Sequence, residues 1–151
     1  MITEASKAVY QVLVEAQGAG QPLEEVPEIL DNAMKMAASG GIAVEAKNER
    51  YLGGSRNRRD FVTGETAVHC VQQVGRGNDY LTALETADAL AKKVRGVLKG
   101  NLTLDSAEFS GGFTQHPIRI LRTDSGYGVE GGTRVAVATV VVEADYEESW
   151  T

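Results

Sequence analysis

The sequence predicts an α+β fold: a mixed or antiparallel sheet of about four strands, packed by two or three helices on one face. Three observations carry this. Residues 2–17 and 79–99 repeat apolar side chains at helical spacing, residues 61–74 alternate apolar with polar, and the last third of the chain reads as β-rich. The 151 residues are the usual size of one domain with one core, and 42% hydrophobic with 24% charged residues is a globular composition. No internal repeat or low-complexity linker divides the chain, so residues 1–151 read as a single domain.

In chain order, residues 2–17 form an amphipathic helix with Ala5, Val9, Val12, Leu13 and Ala16 on one stripe and Glu4, Lys7, Gln11 and Glu15 facing away. Thr3 is its expected N-cap and Gly18-Ala19-Gly20 its end. Pro22 and Pro27 bracket a turn. Glu28 to Ala38 reads as a second, shorter helix, with Pro27 at its first position and Ser39-Gly40-Gly41 as its stop. Ile42 to Ala46 is expected as a short strand, followed by an extended polar loop over 47–59. The strand Phe61–Val74 places Val62, Thr66, Val68, Cys70 and Val74 on one face, and Thr63, Glu65, His69 and Gln73 on the other.

Gly75-Arg76-Gly77 breaks that strand, and Asn78 or Asp79 caps a helix running to about Lys99. Leu81, Leu84, Ala87, Ala91, Val94 and Leu98 are its expected inward stripe. Lys92, Lys93, Arg95 and Lys99 suit the negative end of the helix dipole, and Gly100 is read as the C′ residue. Pro117–Thr123 and Thr133–Tyr146 are then two strands joined by a long glycine-rich turn over 124–132. The last strand carries Val135, Val137 and Val141 on one face and Ala136, Ala138, Val140 and Val142 on the other. A strand apolar on both faces is covered twice. Two explanations stand side by side: a central strand with its alanines under loops, or burial at an oligomer interface.

Composition excludes several classes. A formal net charge of -6 and a pI near 5.0 argue against a dedicated nucleic-acid binder. Cys70 is the single cysteine, so no intrachain disulfide forms, and folding in a reducing compartment or indifferent to redox state is expected. Met1-Ile2-Thr3-Glu4 has neither the basic nor the apolar region of a signal peptide. No apolar run approaches the ~20 residues that span a bilayer. Synthesis and folding in the cytoplasm, without a membrane partner, are the expectation.

Candidate chemistry fails residue by residue. His69 and Cys70 are neighbours on a strand and point to opposite faces, so they cannot share a proton. Cys70 then reads as a small core residue, and His69 as a solvated or interface residue. His116 is the only other histidine, and no metal-ligand spacing exists. Asp145, Glu147 and Glu148 read as a solvated acidic tail. The Gly75-Arg76-Gly77-Asn78-Asp79 junction lacks the third glycine of a dinucleotide fingerprint and the Gly-Lys-Ser/Thr of a Walker loop, and Asp79 would repel a phosphate. No catalytic, cofactor-binding or metal-binding residue is assigned. Arg56-Asn57-Arg58-Arg59 is the strongest local charge feature. A solvated hairpin loop is its first reading, contact with an acidic partner its second, and DNA phosphates its last, because no aromatic platform accompanies it.

The element order, from an N-terminal helix through two strands and a long helix to a C-terminal β-hairpin, resembles the tail terminator proteins of long-tailed bacteriophages. The likeness is strongest from Phe61 to Leu98, where Val68-His69-Cys70-Val71-Gln72-Gln73-Val74 passes through a Gly-Arg-Gly turn into the helix beginning Asp79-Tyr80-Leu81. It resumes at Ile118-Arg119-Ile120 and at Val135–Val142. Residues 20–41 fall outside the shared pattern and read as an insertion. The resemblance implies a structural virion protein without catalysis or cofactor. It would form a homo-oligomeric ring, typically a hexamer, on the head-proximal end of the tail tube. There it would stop polymerisation, contact the major tail tube protein and the head–tail connector, and let genomic DNA pass without specific binding. Loops 47–59 and 124–132 are the expected inter-ring contacts, and Arg56, Arg58, Arg59, Tyr127, Val135, Val137 and Val141 the interface candidates. The alternatives are a head-completion or neck protein of the same virion and, from another class, a small α+β ligand-binding or enzymatic domain.

Overall fold

The computed structural model describes residues 3–31, 40–54, 59–75, 79–114, 116–130 and 132–149. The fold is α+β. Its elements are α1 (Glu4–Glu15), β1 (Ile29–Leu30), β2 (Gly41–Gly54), β3 (Arg59–Gln73), α2 (Tyr80–Lys99), β4 (Arg119–Glu130) and β5 (Thr133–Ser149). The strands form one five-stranded sheet in the order β1-β2-β3-β5-β4. Among the described strands only the β1–β2 pair is parallel. Both helices lie on one face, where Val9, Leu13, Ala87, Val94 and Leu98 close over Ile42, Val68, Cys70, Ala138 and Val140.

Local chemistry explains both helices. Thr3 and Ser6 form a reciprocal capping box at α1, with Ser6 N–H donating to Thr3 Oγ1 at 3.1 Å and Thr3 N–H to Ser6 Oγ at 2.9 Å. Asp79 caps α2 by accepting from Thr82 N–H at 2.8 Å. Two expectations for α2 change. Leu81 is 61% exposed and Ala83 takes the inward position, because the buried stripe runs Ala83, Ala87, Ala91, Val94, Leu98. Gly100 is the C-cap with a right-handed φ of -78°, not a left-handed C′ residue, and its N–H closes the last turn onto Gly96 O at 3.0 Å.

Three loop or helix expectations become strand. The start of the helix expected over 28–38 is strand instead: Ile29 and Leu30 pair with Ile42 and Ala43 as β1, while 32–39 lie outside the described residues. The physical reason is close backbone approach. Gly41, at φ +130°, lies where a Cβ would stand 2.6 Å from Glu28 O, and Ile42 N–H donates to that same oxygen at 3.0 Å. The loop expected over 47–59 is mostly hairpin, since β2 stays paired with β3 to Gly54↔Asp60 through a bulge at Lys47 and a second irregularity between Tyr51 and Gly54. The turn expected over 124–132 is likewise strand to Glu130, reversing only around Gly132 at φ +84°. Gly126 and Gly128 sit in an edge strand whose backbone ladder with β5 holds them extended.

The segment between α2 and β4 carries order that periodicity did not signal. Leu104 is fully buried with φ 55°. Asn101 brackets Asp105, donating to its carbonyl at 2.7 Å and accepting from its N–H at 2.9 Å. Phe113 N–H donates to Thr103 O at 2.7 Å, and the Phe113 ring lies 4.9 Å from Phe109 and 4.8 Å from Tyr146.

β5 lies inside the sheet, between β3 and β4. Its even-numbered residues from Ala136 to Ala144 join the helix-covered core, and its odd-numbered ones face the other way. β5 is therefore a central strand within the single chain, but its alanines lie under the helices and not under loops, because the even-numbered positions face α1 and α2.

Candidate interaction surfaces

The sheet face turned away from α1 and α2 combines small apolar residues with a charged network. Ala43, Ala67, Val71, Val135 and Val141 are buried there and Val137 is half-buried. Around them Arg119 pairs with both Glu143 and Asp145, reaching Asp145 Oδ2 at 3.1 Å. Arg50 approaches Glu143 Oε2 at 3.7 Å, and Thr63 donates to Asp145 Oδ1 at 2.8 Å. The Arg119 bond, with help from Thr63, holds the Asp145 carboxyl below the usual carboxylate range. Asp145 is thus tied into the sheet, not part of a solvated acidic tail; alternation on a strand beyond Val142 was the signal for it.

His69 lies on this face. Its Nδ1 is 2.8 Å from Thr139 Oγ1 and its Nε2 is 3.2 Å from Glu45 Oε1, an oxygen that also meets Lys47 Nζ at 2.9 Å. Lys47 and then His69 lower the Glu45 carboxyl despite partial burial. Cys70 points to the opposite face and is fully buried, and desolvation pushes its thiol up to about 12. His69 and Cys70 therefore share no proton path.

Among the described residues, five of the exposed large apolar side chains lie toward the sheet's two ends, whereas Leu102 follows α2 and Leu121 sits at a bulge midway along β4. Tyr51 and Phe61 are exposed near the β2–β3 hairpin tip. Leu81, Tyr127 and Val129 are exposed where the β4–β5 tip meets the start of α2. There the Tyr80 and Tyr127 rings meet edge-on at 4.8 Å and Arg134 stacks over Tyr80 at 5.5 Å. Because β3 and β5 are antiparallel, pairing Arg59 with Ser149 and Gln73 with Val135, the two tips mark opposite ends of the sheet. Val62, beside Tyr51, is eleven residues from Gln73, roughly 35 Å at the rise of a strand.

Of the interface candidates, Tyr127 is exposed and Val137 half-buried, whereas Val135 and Val141 are closed off within the single chain. Arg59 opens β3; Arg56 and Arg58 lie outside the described residues, as does most of the Gly75–Asp79 junction. A groove of about 240 Å³ between α2 and the sheet is lined by Val26, Gly41, Gln72, Thr86, Leu90 and Lys93. Among the described residues no three His, Cys, Asp or Glu side chains are grouped to hold a metal, and no helix is long and apolar enough to cross a membrane. No protein-family model matches the sequence, and no curated protein matches it either.

Proposed function

We propose that this chain is a structural virion subunit that forms a ring, in the manner of a phage tail terminator, at the head-proximal end of a tail tube. The observation that carries this reading is the placement of Tyr51 and Phe61 at one end of the sheet and of Leu81, Tyr127 and Val129 at the other. A subunit that must meet a tube ring on one side and a connector on the other needs two separate contact surfaces. Tyrosine and arginine-stacked aromatic groups are apt anchors for such contacts. The element order of the chain supports the same reading, as does the net charge of -6, which would keep DNA sliding through a lumen instead of adhering to it. The mechanism is binding alone: one end matches the last tube ring, and the other offers no match for a further tube subunit.

The test is a polymerisation assay with the tail tube protein that this reading expects to be encoded beside the gene. Adding the purified chain should stop elongation and leave a ring at one tube end in electron micrographs. Tubes that grow unchanged, or a gene neighbourhood of metabolic enzymes without a tube protein and tape-measure gene, would sink the proposal.

A further inference from the structure

Among the described residues the sheet has two open edges of opposite polarity. Three antiparallel steps separate β2 from β4, so the two strands run in opposite directions. β1 covers β2 only at Ile42 and Ala43, and among the described residues no strand lies outside β2 from Val44 onward or outside β4. Open edges carry unpaired N–H and C=O groups, a template for another strand. Joining β4 of one copy to β2 of the next would continue the antiparallel pattern of β2, β3, β5 and β4.

The cross-sheet rows support a match between the two edges. Glu45 pairs with Ala67, Ala67 with Val141, and Val141 with Arg122, so Glu45 and Arg122 end the same row on the face away from the helices. Their charges are opposite. Each is also half-used within the chain. Among the described residues, Glu45 is met at Oε1, by Lys47 and His69, and Arg122 donates through Nε to Asp124 Oδ2 at 2.9 Å. Glu45 Oε2 and the terminal Arg122 nitrogens have no partner within the chain among the described residues. The adjoining rows end in Val44 and Thr123, and in Ala46 and Ile120, again similar in height and face. Residues 44–48 thus lie level with 119–123 in four rows, with Lys47 and Leu121 as matching bulges on the two edges.

We infer that copies of this chain join edge to edge, β4 of one against residues 44–48 of the next, with Arg122 placed against the neighbour's Glu45. This head-to-tail contact is heterologous and closes into a ring when the rotation between copies allows. It deepens the ring proposed above and rests on that reading for its closure.

The test is disulfide trapping of the full chain carrying Glu45→Cys and Arg122→Cys, with buried Cys70 left in place. Mild oxidation, in free protein and on tube ends, should give a ladder of covalent oligomers ending in one closed species, while either single variant stays uncrosslinked. Arg122→Glu should weaken association at least tenfold and Glu45→Arg/Arg122→Glu should restore it, which guards against a cysteine pair that merely misfolds. No ladder in either setting overturns edge joining, as does a dimer from Arg122→Cys alone, which would mean twofold pairing of β4. Tube capping without a ladder overturns this inference alone. A ladder without capping keeps edge joining and overturns the terminator role.

Discussion

Tyr146 Oη donates to Glu49 Oε1 at 2.6 Å and so ties β5 to β2 across the strand between them. The bond passes over Gly64 of β3, which pairs with Glu49 on one side and Ala144 on the other. A side chain there would stand 3.0 Å from the Ala5 Cβ of α1 and 3.5 Å from the Tyr146 ring. The glycine is thus what lets α1 settle on the sheet at this point.

Gly64→Ala should therefore destabilise the protein. Crowding against Ala5 outweighs the modest entropic gain of replacing glycine, with a net loss of about 1–3 kcal/mol. Gly126→Ala is the control, since a Cβ there meets nothing within 4 Å, and it should be neutral or stabilising by less than about 1 kcal/mol. Chemical denaturation of the two variants decides the matter; equal midpoints would remove the close approach of α1 from the account.

Tyr146→Phe deletes a buried donor to a carboxylate and should cost about 1.5–3 kcal/mol. Its effect depends on pH with a definite sign. Burial, and then the Glu49 bond, raises the folded-state pKa of Tyr146 above its ordinary value of 10.0. The folded state then holds a proton that the unfolded state releases, so this contribution is complete below about pH 10 and declines as pH rises beyond it. The stability difference between wild type and Tyr146→Phe should shrink above that pH; a gap that stays constant to pH 11 would argue against the bond.

Cys70 should be silent toward a thiol reagent such as Ellman's at pH 8 in the native protein. Full burial denies access, and a thiol pushed up to about 12 supplies almost no thiolate. One equivalent should react upon unfolding in denaturant. Rapid native labelling would mean that the sheet beneath α2 opens readily.

Leu98 and Leu81 occupy one helix and were both expected inward, yet Leu98 is fully buried and Leu81 exposed. Leu98→Ala should cost about 2–5 kcal/mol, whereas Leu81→Ala should change stability by less than about 0.5 kcal/mol. Thermal melts read the contrast directly. If Leu81 belongs to the proposed contact end, its replacement should instead weaken assembly.

Much of the scaffold was written in local chemistry. Thr3 and Asp79 announced their helices because a cap is a bond between residues three apart, and the alternation of β3 announced its two faces because strand geometry has a period of two. The same local rule placed His69 and Cys70 on opposite faces. Local chemistry misread the glycines. Gly126 and Gly128 looked like a turn and lie in β4, because backbone pairing to β5, remote in neither case from the hairpin but invisible to a propensity count, holds them extended. Residues 47–54 looked like a polar loop for the same reason; their charged side chains are accommodated by β3 and β5, as when Arg50 meets Glu143.

The lack of an assignable catalytic cluster and an assembly-like pattern in β5 were sequence readings, made from residue type and spacing. Which of the valines are already covered was decided by tertiary structure alone: Val135 and Val141 are closed off within one chain while Val137 is half-buried. The same holds for the position of the apolar residues at opposite sheet ends and for the row joining Glu45 to Arg122, 77 positions apart in the chain. A sequence states which side chains a strand carries and on which face. Only strand order and register, set by hydrogen bonds between distant segments, state what lies beside them.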